Sequence, residues 1–142
     1  MTDSLLMLDL VRVVYWFDEQ LQQALAKRGW GMLGRSQSLV LANVANGETR
    51  SARIAEKLGV SRQAMSQLAA ELIARNILEF APDPQDKRAR ILRFTPQSQG
   101  IRDDAQAVLR DLENQIAAHT SPADLAAFKA ILGRFLASGG LL

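Results

Sequence analysis

A mainly α-helical fold with one small β-ribbon is what this sequence predicts, and three observations predict it. Apolar residues recur at helical spacing through six separate stretches. Two short runs, Ile77 to Phe80 and Arg90 to Phe94, break that period with β-branched, aromatic and alternating residues. A glycine-centred turn, Leu58-Gly59-Val60-Ser61, joins a short helical stretch to a longer one.

The first stretch runs from Ser4 to about Lys27, with Leu5, Leu8, Val11, Val14, Tyr15, Leu21 and Leu25 on one side and Arg12, Asp18, Glu19, Gln22 and Lys27 on the other. A helix of that length is about 36 Å long. One small core cannot cover all of it, so part of its stripe, including Leu6, Leu10 and Val13, is expected to meet another chain. Three glycines in Arg28 to Gly34 mark a loop. Ser36 is suited to cap a second helix that ends at Asn46-Gly47. A short helix then fits RSARIAEKL, with Ile54, Ala55 and Leu58 inward, and Ser61 caps a longer one from Arg62 to about Arg75 built on Met65, Leu68 and Leu72.

Asn76 closes that helix in a position suited to a left-handed residue. The two short runs then form a ribbon around an eight-residue loop, Ala81 to Arg88, and Pro96 ends it. Two more helices follow, from about Gln97 to Ala118 and, capped by Ser121 with Pro122 in the first turn, from about Ala123 to Ala137. Short helix, turn, longer helix and ribbon together are the order of a winged helix-turn-helix. It is expected over about residues 36–95 of one domain spanning 1–142, flanked by dimerisation helices over 4–28 and 97–138. Leu132, Phe135, Leu136, Leu141 and Leu142 join Leu6 and Leu10 as the expected dimer interface.

Composition narrows the function classes. Of 142 residues, 48% are hydrophobic and 23% charged, the balance of a globular chain and not of a wholly disordered one. The absence of cysteine excludes disulfides, thiolate metal sites, a cysteine nucleophile and thiol-based redox sensing. The N-terminal stretch has acids at Asp3 and Asp9 and no basic region before its apolar residues, unlike a secretory leader. No run of 18 apolar residues occurs, so a soluble cytoplasmic protein with no membrane partner is expected.

Enzyme motifs are missing. Gly34-Arg35-Ser36-Gln37-Ser38 falls one glycine short of a nucleophile elbow, and the sequence has one histidine, His119, whose place near a helix end suits the helix dipole. Neither HExxH, a phosphate-binding loop nor a dinucleotide fingerprint is present. No catalytic residue, metal site or cofactor is therefore expected.

The chemistry lies in the longer helix of the turn motif. Its first two turns place Ser61, Arg62, Gln63, Ser66 and Gln67 on the side left free by Met65, Leu68 and Leu72. Arginine and glutamine there can form paired hydrogen bonds with guanine and adenine edges in a major groove about 12 Å wide. Charge agrees: from Arg50 to Arg93 nine basic residues face five acidic ones, net +4, whereas the rest of the chain is −2 and the whole +2. Positive charge is concentrated where phosphate would lie.

The segment GVSRQAMSQLAAELIARNIL followed by DPQDKRARILRFT resembles the MarR family of bacterial transcriptional regulators, whose wing carries an Asp-x-Arg motif before a strand ending in Leu-Thr or a close variant. The resemblance implies that Asp86 orients Arg88, that Arg88 at the wing tip enters a minor groove, and that Lys87 and Arg90 touch the DNA backbone. It implies a homodimer, acting as a repressor, on a pseudo-palindromic double-stranded operator. It also implies a crevice for a small aromatic or amphipathic ligand between dimerisation helices and winged segment, for which Tyr15, Trp16 and Trp30 are the candidate lining. Two departures stand out: Asn76 replaces a usual glycine, and the glycine usual three residues after Thr95 is Ser98, with Gly100 two residues on. Two other readings of the same pattern are a winged-helix protein-interaction module and a small-molecule-binding protein without DNA regulation.

Overall fold

The computed structural model describes residues 3–139. Six α-helices and one hairpin follow in order: α1 Leu6–Lys27, α2 Arg35–Ala45, α3 Ser51–Leu58, α4 Arg62–Ala74, β1 Leu78–Asp83, β2 Asp86–Phe94, a 3-10 turn Pro96–Ser98, α5 Gln99–His119 and α6 Pro122–Ser138. Leu141 and Leu142, expected at the dimer interface, lie outside the described residues.

The core gathers around the turn motif. Val40 of α2, Ile54 of α3, Leu72 of α4 and Leu92 of β2 are wholly buried, with Met65, Leu78 and Ile101 beside them. Each such side chain contributes about 1.5 to 3 kcal/mol by leaving water. In α1 this core buries Leu21 and Leu25, with Trp16 and Phe17 partly buried against it, whereas Leu6, Leu8, Val11, Val13 and Val14 are exposed. No residue of α6 is buried. The chain-end helices therefore carry apolar surface that the described residues leave uncovered.

Local chemistry sets the element ends. Gly29, at φ 86°, closes α1 in the left-handed conformation, and the Trp30 N–H reaches back to the Leu25 carbonyl at 3.1 Å. Gly59, at φ 67°, closes α3, and Ser61 Oγ accepts the Ala64 N–H at 3.0 Å to start α4. Asn76, at φ 57°, ends α4 as expected of a residue that tolerates this conformation. Ser121 caps α6 by accepting the Asp124 N–H at 3.0 Å.

Several boundaries differ from the sequence reading, α1 among them, which begins at Leu6 and not Ser4. Ser36 does not cap α2: the helix begins at Arg35 behind Gly34, whose N–H is taken by Gln37 Oε1 at 3.0 Å, so Ser36 lies in the first turn. The ribbon is longer, with Leu78 paired to Phe94, Phe80 to Leu92 and Pro82 to Arg90, and the turn shrinks from eight residues to Pro84-Gln85. Pro82 is accommodated because it stands next to the register shift at Asp83, where a missing N–H disrupts little. Finally, a 3-10 turn precedes α5, which starts at Gln99 and not Gln97.

Both unusual residues after Thr95 have structural roles. Buried Ser98 donates from Oγ to the Ile77 carbonyl, while Thr95 Oγ1 donates to the Asn76 carbonyl at 2.8 Å, locking the hairpin base to the end of α4. Gly100 lies against the Trp30 ring, where a Cβ would stand 3.0 Å from Cζ2.

Candidate nucleic-acid interface

Burial divides α4 along its length. Met65, Ala69 and Leu72 face the core, which leaves Arg62, Gln63, Ser66 and Gln67 exposed on the opposite side. Among the described residues, no hydrogen bond or ion pair engages the side chains of those four. Ser61 is committed to capping, so its hydroxyl oxygen holds the helix start at the same place where it would approach a partner.

The wing presents Asp86, Lys87 and Arg88 at its tip, all exposed. Asp86 meets Arg88 at the backbone: its Oδ1 accepts the Arg88 N–H at 3.0 Å. The Arg88 guanidinium itself is left without a carboxylate partner among the described residues. Arg90 lies over the Phe80 ring, 3.7 Å from its centroid, a cation–π contact that steadies the ribbon.

Counting charges in the sequence overstated the free positive charge. Arg93 pairs with Glu79 at 2.7 Å, Arg53 with Glu56 at 3.1 Å, Lys57 with Glu48 at 3.4 Å and Arg50 with Asp83 at 2.7 Å. Arg75 donates to the Met32 carbonyl at 2.9 Å. Of the nine basic residues from Arg50 to Arg93, Arg62, Lys87 and Arg88 remain without an acidic, carbonyl or aromatic partner among the described residues. These three stand on α4 and the wing tip.

The aromatic trio does not assemble into one pocket. Tyr15 lies beneath the Arg35 guanidinium, 4.0 Å from its ring centroid, and Arg35 is held in turn by Asp18 at 3.2 Å. Trp16 packs edge-on against Phe17 at 5.1 Å and lines an open groove of about 840 Å³ between α1 and the α5–α6 corner. Trp30 is drawn to α5 by a 2.8 Å bond from Nε1 to Asp104 Oδ2. Successive helix residues diverge by about 100°, which is why Tyr15 and Trp16 part company.

A second, smaller cleft of about 210 Å³ lies between α1, α2 and α5, lined by Leu21, Leu41, Phe94, Ile101, Gln106 and Arg110 among others. Sequence reasoning missed it because its walls come from four elements and none of its residues forms a local motif. His119 stays at the end of α5, its Nδ1 2.9 Å from the Gln115 carbonyl. Among the described residues no cluster of acidic or histidine side chains could hold a metal ion, and no helix is long and apolar enough to cross a membrane.

A core-packed helix α4 preceded by a left-handed glycine turn and followed by a two-stranded wing defines a winged helix-turn-helix protein. Residues 30–89 match the family model described as MarR family, bearing out the sequence resemblance across the reader and the wing tip. Three solved structures share the fold over most of their length. Apo wild-type MarR from E. coli is 18% identical, over 94% of this chain and 99% of that one, with a TM-score of 0.63. BldR, a transcriptional regulator from Sulfolobus solfataricus, is 22% identical over 91% and 93%, at 0.62. The transcriptional regulator PA4135 is 18% identical over 95% and 98%, at 0.72. A comparison with curated proteins finds no match.

Proposed function

We propose that this protein is a DNA-binding transcriptional regulator that acts as a homodimeric repressor on a pseudo-palindromic operator. The observation that carries the reading is the placement of the free cations. Arg62, Lys87 and Arg88 stand on the reader helix and wing tip, beside the unengaged amides of Gln63 and Gln67. Arg62 and the amides suit base edges and phosphates of the major groove, and Arg88 suits the narrow, negative minor groove beside it.

A two-fold dimer supplies the symmetry. Exposed Leu6, Phe135 and Leu136, with the half-buried Leu10 and Leu132, form an apolar surface of the kind that a second copy covers. Of these two helices, α1 also borders the 210 Å³ cleft, together with α2 and α5. A small aromatic or amphipathic ligand entering there would press α1 and α5 away from α2, changing the spacing of the two readers and releasing DNA without touching a base contact. The test is selection of duplexes by the purified protein from a random-sequence pool, followed by gel shift. Enriched, two-fold-related half-sites support the reading, and a pool that stays unenriched at low salt refutes it.

A further inference from the structure

Arg50 and Asp83 stand outside the reader helix, and together they tie the start of α3 to the hairpin. Arg50 is the residue just before α3, and its neighbour Thr49 accepts the Leu92 N–H of β2 at 2.8 Å. Asp83 ends β1, beyond the point where the hairpin register shifts. Its carboxylate is buried, and both oxygens are engaged: Oδ1 accepts the Gln85 N–H at 2.9 Å, and Oδ2 receives Arg50 Nη2 at 2.7 Å.

The hairpin is thus braced against the start of α3 at two heights, by Thr49 toward its base and by Arg50 close to its tip. The distal brace matters because a two-stranded ribbon has little stability of its own. Only Pro84 and Gln85 separate Asp83 from Asp86, which in turn fixes the Arg88 backbone. The distal brace between the start of α3 and the wing tip is therefore the Arg50–Asp83 ion pair.

We propose that Arg50 and Asp83 are positioning residues that hold the wing at the angle where Arg88 meets DNA, without either side chain having to touch the nucleic acid. This rests on the DNA-binding reading above. It makes a demand opposite in sign to simple electrostatics: Asp83→Asn removes a negative charge from a DNA-facing element, which by charge alone favours binding, yet here it weakens binding.

The experiment measures affinity for a duplex selected from a random pool by the wild-type protein, using Asp83→Asn, Arg50→Ala and Arg50→Lys, each with and without Arg88→Ala. Asp83→Asn and Arg50→Ala are expected to lose about fivefold or more, and Arg88→Ala to cost little further in either background, as coupled residues require. Arg50→Lys recovers part of the loss because it keeps the charge. Should Asp83→Asn fail to fold, the cycle between Arg50→Ala and Arg88→Ala decides alone, since Arg50 is half exposed. Equal or tighter binding by a folded Asp83→Asn, or a full Arg88→Ala penalty on top of Arg50→Ala, overturns the proposal while leaving DNA binding intact. A wild-type protein that selects no duplex removes the DNA-binding reading and this inference together.

Discussion

The indole Nε1 of Trp30 donates to Asp104 Oδ2 at 2.8 Å, fastening the loop after α1 onto the second turn of α5. The same loop is gripped from two other sides. Gln22 of α1 accepts the Leu33 N–H at 3.0 Å through Oε1 while its Nε2 donates to Ser38 of α2, and Arg75 at the end of α4 holds the Met32 carbonyl. The segment from Arg28 to Gly34 is therefore where the long helices and the reader helix meet. Trp30→Phe keeps an aromatic side chain but removes the donor and the part of the indole that lies against Gly100, so a loss of at least about 1 to 2 kcal/mol is expected. Thermal unfolding followed by circular dichroism would register it, and an unchanged midpoint would show that Arg28 alone satisfies Asp104.

Arg88→Ala is expected to weaken operator binding at least about tenfold, within the range for a lost groove contact. Because the guanidinium has no partner in the fold among the described residues, the melting temperature and the dimer should be unchanged. Fluorescence anisotropy with a labelled operator, paired with a thermal melt, separates the two effects. Unaltered affinity contradicts the role given to the wing tip.

Salt dependence distinguishes the kinds of contact made by α4. If Arg62 neutralises a phosphate, Arg62→Ala reduces the slope of log affinity against log salt by about 1 and weakens all sequences alike. Gln63→Ala, at a residue read as meeting a base edge, instead relaxes the preference at one position and leaves the slope alone. A selection experiment with each variant reports both, and identical profiles for the two would defeat the division of labour.

Phe135 is 60% exposed in a helix without a buried residue, so Phe135→Asp should leave the protomer folded. In the dimer it would bury a carboxylate in an apolar contact, which is costly without a partner. Light scattering at micromolar concentration is expected to show monomer for the variant and dimer for the wild type. A wild-type monomer would contradict the interface outright.

Asp83 links the wing to pH. The Gln85 N–H chiefly, and Arg50 by hydrogen bond and charge, hold its carboxyl below the usual carboxylate range against the opposing pull of burial. Its lowered folded-state value means that the unfolded chain binds the proton more readily, so the contribution is complete above about pH 4 and lost as pH falls through the lowered value. The stability gap between wild type and Asp83→Asn should hold steady near neutrality and close under more acidic conditions. A gap that persists in acid would place the effect of the substitution elsewhere.

The readable parts of the fold were those governed by local chemistry. Gly59, Ser61 and Asn76 each carry a conformational or capping preference that acts within a few residues, and each stands where that preference placed it. The hairpin extends beyond the strands that the local pattern marks, because its length is set by cross-strand partners and by the Asp83 carboxylate. The site divided in the same way. Exposure of Arg62, Gln63, Ser66 and Gln67 follows from helical period, but the pairing that neutralises Arg50, Arg53, Lys57 and Arg93 depends on which acids the fold brings near. Trp30 illustrates the limit most clearly, since its partner Asp104 is 74 residues away in sequence.

The central claim is that two copies of this chain present two readers to one duplex. Hydroxyl-radical footprinting of the wild-type protein on its selected duplex tests it most directly. Two protected regions related by a two-fold axis, with half-site centres about 34 to 36 Å apart or a multiple of that, are the expected result. A single unsymmetric protection, or uniform protection that vanishes with modest salt, would contradict it.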